Sequence, residues 1–474
     1  MNYWKQQYTE AKAHFQNSLS HIKGVILGFN VNLDKIIEIT PEILEKILLD
    51  FESPDLFLTK SSPPEINSIE DLICSLINAI KVGKADESLI SSKEVCVWIE
   101  DCFQIYKTQI GGQAGIMANL LPKIKVKNIL LNLPFYSNEV KRLLDPSITI
   151  TEEYETTTDY RKKEYGSNEI EPISHYVFEF KEAIYQVGSK KIHCKRPNRF
   201  IASFDEVNSE LKINKNFINY STSSIQNYSL AVISGFHLIK PEISFQTYSE
   251  ILKPVITILR TWKEINPSLN IHLELTVIKN KQLRRTIIKE IFPLVDSIGM
   301  NEQELLLLLE VQHPSVYTTI KDNLNSINLF EGLLKVLDVF QDKYFILHNL
   351  GYYLSLSKNL DNKKMIQRKN SLLLASLFAA VRAEQGDLFS IDDLPEAISP
   401  SESGRKEIQM LEYHFEETFF EKSTLSTTGI FKTSNFGLIA IPTIIVESPR
   451  MLVGIGDTIS LIAVLFDVLK DEEN

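Results

Sequence analysis

The chain has 474 residues, 44% apolar and 23% charged, which is ordinary globular composition with room for two or three typical domains or for one large α/β domain carrying an insertion. Acidic residues outnumber basic ones by 61 to 50, a formal net charge of −11 that argues against a nucleic-acid partner or a membrane surface but not against phosphate ligands in a locally basic pocket. Cys74, Cys96, Cys102 and Cys194 form neither a CxxC pair nor a zinc-type cluster, so reduced structural thiols are expected.

The amino end, MNYWKQQYTEAKAHF, is polar and lacks the apolar run of a secretory leader. The longest helical apolar stretch, Ser371 to Val381, falls far short of the ~20 residues that span a bilayer. A cytoplasmic protein is expected. An amphipathic helix is predicted over 1–22, and KGVILGFN (23–30) reads as a buried parallel strand. Helical patterns follow at 41–50 and 68–83, then a loop entering a helix at 110–121 and a buried strand at 127–133. From 147 to 203 the texture changes to β-rich stretches, HYVFEF (175–180), AIYQV (183–187) and RFIAS (199–203), with an antiparallel pattern and one wet face. Strand–helix alternation then returns with LAVISGF (230–236), IHLELTV (271–277), DSIGM (296–300), YFILHNL (344–350) and TIIV (443–446). This is an α/β pattern: a doubly wound, mainly parallel sheet interrupted by a smaller β-rich insertion, with ligands beyond the carboxyl ends of the strands.

Several residue groups could carry chemistry. In VGIGDTISLIAVLFDVL (453–469), Gly454 and Gly456 precede Asp457 at the start of an apolar helix. Bare amides at a helix N-terminus form an anion site, and an aspartate there either takes a proton from an attacking hydroxyl or simply caps the helix. His272 and Glu274 alternate onto one face of a strand, and Asn301, Glu302 and Glu304 open a leucine-rich helix. Asn301 and Glu304 read either as a capping box or as oxygens that hold hydrated Mg²⁺ against phosphates. Asn30, Asn32 and Asp34 in GFNVNLD (28–34) suit either sugar hydroxyls or an Asx turn. His175 opens an apolar strand, where a structural role is the usual one. Arg199 is either solvated or aimed at phosphate.

Taken in order, GFNVNLD, GGQAGIMANLL, HYVFEF followed by NRFI, SGFH, HLEL, FPLVDSIGMNEQELL, HNLGYYLSL and VGIGDTIS resemble the motif series of the ADP-dependent glucokinase and phosphofructokinase family, from about residue 24 to 469. The resemblance implies a ribokinase-like large domain with a lid. Residues 1–30 and 204–474, plus 109–146, would form the nucleotide-binding domain; 31–108 and 147–203 would form a discontinuous lid that contributes to the sugar site. It further implies ADP as donor, a hexose or hexose phosphate as acceptor, Mg²⁺ as cofactor and a monomeric enzyme. By matching motif, Asp457 would be the general base, Gly454 and Gly456 would shape the anion hole, and Arg199 would contact the transferring phosphate. Glu274 and Glu304 would organise Mg²⁺ through water, with His272, Asn301 and Glu302 alongside. Asn32, Asp34, Gly112, Gln113 and His175 would meet the sugar, and His348, Tyr353 and Val446 would surround adenine. HNLGYY departs slightly from the family's usual HTxGYY wording.

The acceptor divides the readings. GKADES (83–88) places Glu87 where glucokinase-type members of the family have a glutamate that binds a sugar hydroxyl. Against it, Arg161, Lys162, Lys163, Lys195 and Arg196 could bind a 6-phosphate. Glucose is the expected acceptor, with fructose 6-phosphate or both as the alternative. A catalytically silent sugar or nucleotide sensor and an ATP-using ribokinase relative are the more distant rivals.

Overall fold

The computed structural model describes residues 2–18, 22–151, 170–240, 247–358, 361–386, 394–395, 398–420, 422–451 and 453–468. Short runs of branched and aromatic residues form a ten-stranded sheet. Its members are β1 (Val25–Gly28), β6 (Ile129–Leu131), β7 (Ile148–Ile150), β12 (Leu230–Ile233), β13 (Asn270–Glu274), β14 (Ser297–Met300), β15 (Tyr344–Asn349), β16 (Tyr352–Ser357), β17 (Ile430–Lys432) and β18 (Gly437–Pro442). From β1 the sheet runs through β6 to β7 on one side and through β12 to β15 on the other, all parallel. Antiparallel β16, β18 and β17 finish the far edge. The strand order thus reverses beside β1, which opens a crevice at the carboxyl ends of β1 and β12.

Alternation puts Leu27, Leu131, Val232 and Ile346 into one apolar layer and Ile26, Leu130, Ala231 and Leu273 into the other. The first layer is covered by the helices Gln113–Lys123, Asn362–Gln385 and Ile455–Asp467 and by the amino-terminal helix Asn2–Ser18, whose Tyr8 and Phe15 are fully buried. The second layer is covered by the helices Tyr248–Ile265, Lys281–Glu290, Glu302–Gln312 and Ser326–Val339, so helices flank both faces and the fold is α/β.

The smaller body is a six-stranded sheet in the order β3 (Glu65–Ile66), β4 (Asp86–Ile90), β11 (Asn198–Asp205), β8 (Ile173–Phe180), β2 (Asn32–Ile39), β5 (Lys107–Gly111), with a hairpin of β9 (Ala183–Val187) and β10 (Lys190–Cys194) apart from it. Within the stretch expected to be antiparallel, β8 with β11 and β9 with β10 are so paired, while β4 and β2, from earlier in the chain, join β11 and β8 in parallel. One helix backing this sheet, Ile69–Val82, shows why the sequence folds locally. The Ser68 hydroxyl accepts from the Asp71 amide, the Asp71 carboxylate accepts from the Ser68 amide, and Gly83 stops the helix at φ 65°.

Strand pairing draws the two bodies differently from the expected bounds. β5 (Lys107–Gly111) lies in the smaller sheet, although 109–146 is expected in the large domain, and β7 lies in the large sheet, although 147–203 is expected in the lid. β11 carries the lid on to Asp205. TIIV (443–446) is not a strand. Its backbone serves loops instead, with the Thr443 amide on the Gly351 carbonyl at 2.8 Å and the Ile444 amide on Ser376 Oγ at 2.9 Å. Among the described residues no helix is long and apolar enough to cross a membrane, and all four cysteines are free.

Candidate active site

Segments leaving the carboxyl ends of β1, β12, β13, β14 and β15 face the inner surface of the lid sheet across a cleft of about 510 Å³. One pole is the start of the helix Ile455–Asp467. Gly454 precedes it with φ 73°, and a Cβ there would come within 2.8 Å of the Arg382 guanidinium. Arg382 Nε donates to the Val453 carbonyl at 3.1 Å. The first intrahelical bond runs from the Thr458 amide to the Gly454 carbonyl at 3.1 Å, so the amides of 455–457 stand at the open end of the helix. Asp457 lies in the first turn and Gly454 holds the cap position, which removes the simple N-cap reading of Asp457. Burial pushes the Asp457 carboxyl up to about 6; the Glu274 charge adds to this, while Arg382, a hydrogen bond from Gln113 and His348 oppose it.

Beside this pole, β13 presents Glu274. Its Oε1 lies 3.1 Å from His348 Nε2 and its Oε2 lies 3.4 Å from His272 Nε2. Burial alone would raise Glu274, but the hydrogen bonds and charges of the two histidines outweigh it and hold the carboxyl down at about 2. His272 is fully buried and hydrogen-bonded to Ser297 Oγ at 2.7 Å; it supports Glu274 from behind and does not line the cleft. The capping box expected at the next helix is present. Glu304 Oε2 accepts from the Asn301 amide at 2.7 Å, and Asn301 Oδ1 accepts from the Glu304 amide at 3.0 Å. Glu304 nonetheless also faces the cleft, and burial with the nearby Glu274 charge drives its carboxyl up to about 8. Glu302 and Asn301 line the same wall.

Among the described residues no group of three or more His, Cys, Asp or Glu side chains is arranged to hold a metal ion. The carboxylates of Glu274 and Glu304 are each engaged by protein donors, so they do not fit direct chelation by the protein alone. They do fit a hydrated cation that arrives on a phosphate chain, because a second-sphere charge next to this repelling pair relieves it.

The lid supplies the opposite pole. Asn32 and Asp34 lie inside β2, not in an Asx turn, with Asn32 Nδ2 donating to Asp34 Oδ1 at 2.6 Å. Burial raises the Asp34 carboxyl to about 6 against the His175 charge and that hydrogen bond. Glu87 on β4 accepts from Ser203 Oγ at 2.6 Å and has His237 Nε2 3.6 Å from its other oxygen. Burial would push it up, but His237, His175 and Ser203 together bring it down to about 2. Arg199 on β11 reaches the cleft with its Nε making no hydrogen bond, and burial lowers its pKa. Gly112 has φ 71°, and a Cβ on it would meet the Asn30 carbonyl and Asn32 Oδ1 at 2.6 Å. Gln113 is fixed within the large body: its Oε1 accepts from the Gly235 amide at 3.1 Å and its Nε2 donates to the Leu275 carbonyl at 3.3 Å.

His348, Tyr353 and Val446 also line the cleft, beside Ala379, Ala380 and Ala383. His348 is tied to Glu274 rather than to the apolar end. Of the basic residues weighed for a 6-phosphate, Arg161, Lys162 and Lys163 lie outside the described residues. Neither Lys195 nor Arg196 lines the cleft, and Arg196 Nε is spent on the Gly83 carbonyl at 2.9 Å. Three site residues escaped the sequence reading: His237, Arg382 and Ser203. The first follows a strand end within SGFH, a usable signal; the other two sit inside a long helix and a strand, where nothing local marks them.

In a ribokinase-like α/β fold, helix-start amides beside a buried carboxyl and facing a polar lid wall can hold and transfer a phosphoryl group. The model of the ADP-specific Phosphofructokinase/Glucokinase conserved region matches residues 23–466, and the chain belongs to that family. It is an ADP-dependent sugar kinase. An ADP-dependent glucose/glucosamine kinase of Pyrococcus abyssi is 30% identical over 464 residues, covering 96% of this chain and 97% of its own. An ADP-specific phosphofructokinase of Pyrococcus furiosus is 27% identical over 452 residues, covering 92% and 95%. The solved structure of an ADP-dependent kinase in complex with fructose-6-phosphate and ADPβS is 26% identical and superimposes over the whole of both chains with a TM-score of 0.84.

Proposed function

We propose that this chain transfers the β-phosphoryl group of Mg-ADP to the 6-hydroxyl of glucose, giving glucose 6-phosphate and AMP. The observation that carries the choice of acceptor is the Glu87 carboxylate, held low in pKa and pinned by Ser203 at 2.6 Å, beside Asp34 in the lid half of the cleft. An ionised carboxylate accepts strongly from a neutral hydroxyl and repels a sugar phosphate as the cleft closes. Asn32, Asp34, Gly112 and Gln113 would complete the sugar basket, with His175, expected among them, backing it through bonds to Asp205 and Ser203. Asp457 would then take the proton of the 6-hydroxyl while the amides of 455–457 hold the transferring group and Arg199 neutralises it from the lid. Glu274 and Glu304, with Asn301 and Glu302, would hold Mg²⁺ through water; when bound, the ion supplies charge neutralisation of the phosphate oxygens. His348, Tyr353 and Val446 would border the nucleotide. We read the enzyme as a cytoplasmic monomer, in keeping with its free thiols.

Fructose 6-phosphate is the second reading, favoured by the likeness to the complex described above. Kinetics of the wild type and of Glu87→Ala on both sugars, at fixed ADP and Mg²⁺, separates the two. Glucose turnover should fall strongly in the variant and any fructose 6-phosphate turnover should hold or improve. Full glucose activity in Glu87→Ala would remove the support for glucose.

A further inference from the structure

Glu87 is held by a chain of buried groups that crosses the lid sheet. β8, β11 and β4 lie side by side, and register sets His175 opposite Ser203 and Glu87 opposite Ile201. Asp205 is fixed first: its Oδ1 accepts from the Asn208 amide at 2.8 Å, and its Oδ2 accepts from Asn208 Nδ2 at 2.7 Å. The same Oδ2 lies 2.9 Å from His175 Nε2. His175 Nδ1 lies 3.2 Å from Ser203 Oγ, and Ser203 Oγ donates to Glu87 Oε1 at 2.6 Å. Ser203 is wholly buried and does not line the cleft, so it cannot reach a ligand itself.

Counting hydrogens fixes the state of this chain. The single Ser203 proton is used on Glu87, so toward His175 the hydroxyl can only accept, and His175 Nδ1 must carry a proton. Nε2 faces a carboxylate and carries one too. His175 is therefore an imidazolium set among Asp34, Asp205 and Glu87, which agrees with the upward shift of its pKa: burial lowers it, and the hydrogen bond and charge of Asp205 with the charges of Glu87 and Asp34 prevail. With Oε1 committed to the lid, Oε2 is left toward the large body, where His237 Nε2 stands 3.6 Å away and Lys279 Nζ donates to the Glu87 carbonyl at 2.7 Å.

Building on the reading that Glu87 meets the acceptor, we propose that Ser203 is a positioning residue for acceptor choice, the joint through which Asp205 and His175 aim the Glu87 carboxylate at the sugar. A hydrogen bond to a charged group is worth roughly ten- to a hundredfold in an equilibrium. Ser203→Ala should accordingly raise KM for glucose by about tenfold or more, leave KM for ADP within about twofold, and leave fructose 6-phosphate turnover equal or better. In a Glu87→Ala background the same change should alter glucose KM by less than about twofold, since the group it aims is gone. Ser203→Thr keeps the hydroxyl and should stay within about threefold of the parent.

Steady-state kinetics of these four variants with the intact enzyme, together with a melting curve for each, tests the proposal. It is overturned if Ser203→Ala leaves glucose KM unmoved while Glu87→Ala raises it, an outcome that spares the acceptor reading and removes the relay. An undiminished effect in the Glu87→Ala background, or equal losses in the Ala and Thr variants, also overturns it, because packing would then be the cause. If Glu87→Ala itself leaves glucose KM unchanged, the acceptor reading falls and the relay falls with it.

Discussion

Replacing Asp457 by Asn should cost the enzyme its turnover and make it more stable. The amide fills the same volume but cannot accept the hydroxyl proton, and loss of a positioned base is typically worth ~10²–10⁴-fold in kcat. The stability change follows from the same burial. Burial holds the pKa of Asp457 at about 6 against an ordinary value of 3.8. Because the folded value is raised, the protonated form favours folding; that advantage is complete below 3.8 and is lost as pH rises through 6. At pH 8 the buried ionised carboxyl therefore costs on the order of 3 kcal/mol, which the neutral amide avoids. Urea unfolding of both proteins should show Asp457→Asn more stable at pH 8, with the gain shrinking between pH 6 and 4. In the wild type, kcat should fall as pH drops below about 6, as the base protonates. Retention of more than about a tenth of wild-type kcat would remove Asp457 as the base. A variant that is both inactive and less stable would mean that the carboxylate is a structural anchor.

Other changes test the remaining parts of the site. Glu304→Gln should raise the Mg²⁺ concentration needed for half-maximal rate severalfold at unchanged secondary structure, and an unaltered Mg²⁺ titration would leave Glu304 only its capping role. Arg199→Lys should lower kcat by at least about tenfold with little effect on KM for glucose, since a point charge cannot reproduce the fork; equal effects on both constants would place Arg199 on the acceptor instead. ADP should exceed ATP in kcat/KM by about two orders of magnitude or more, and parity would join the chain to ATP-using relatives.

Much of the site was legible in the chain because its strongest signals are local. The glycines before Asp457 and the Asn301–Glu304 pair declare a helix start within a few residues, and the structure keeps both at cleft-lining starts of helices. His272 misled in part: alternation correctly set it on the face of Glu274, but only the sheet shows that it lies one layer deeper, bonded to Ser297. TIIV failed because β-branched composition resembles a strand, whereas after the Thr443 bond to Gly351 the Ile444 amide leaves the sheet for Ser376 Oγ. The relay through Ser203 was out of reach, since it depends on the register of β4, β11 and β8, which bring Glu87 and Ser203 together across 116 residues of sequence. A lone serine in an alternating strand carries no mark of that.

The most direct measurement is phosphorus NMR of the wild-type enzyme with Mg-ADP and glucose, beside a parallel sample with fructose 6-phosphate. We expect the β-phosphoryl resonance of ADP to decline as glucose 6-phosphate and AMP appear in equal amounts, with fructose 1,6-bisphosphate forming more slowly or not at all. ADP consumed only in the fructose 6-phosphate sample would contradict the choice of glucose, and no phosphoryl transfer in either sample would contradict the kinase mechanism itself.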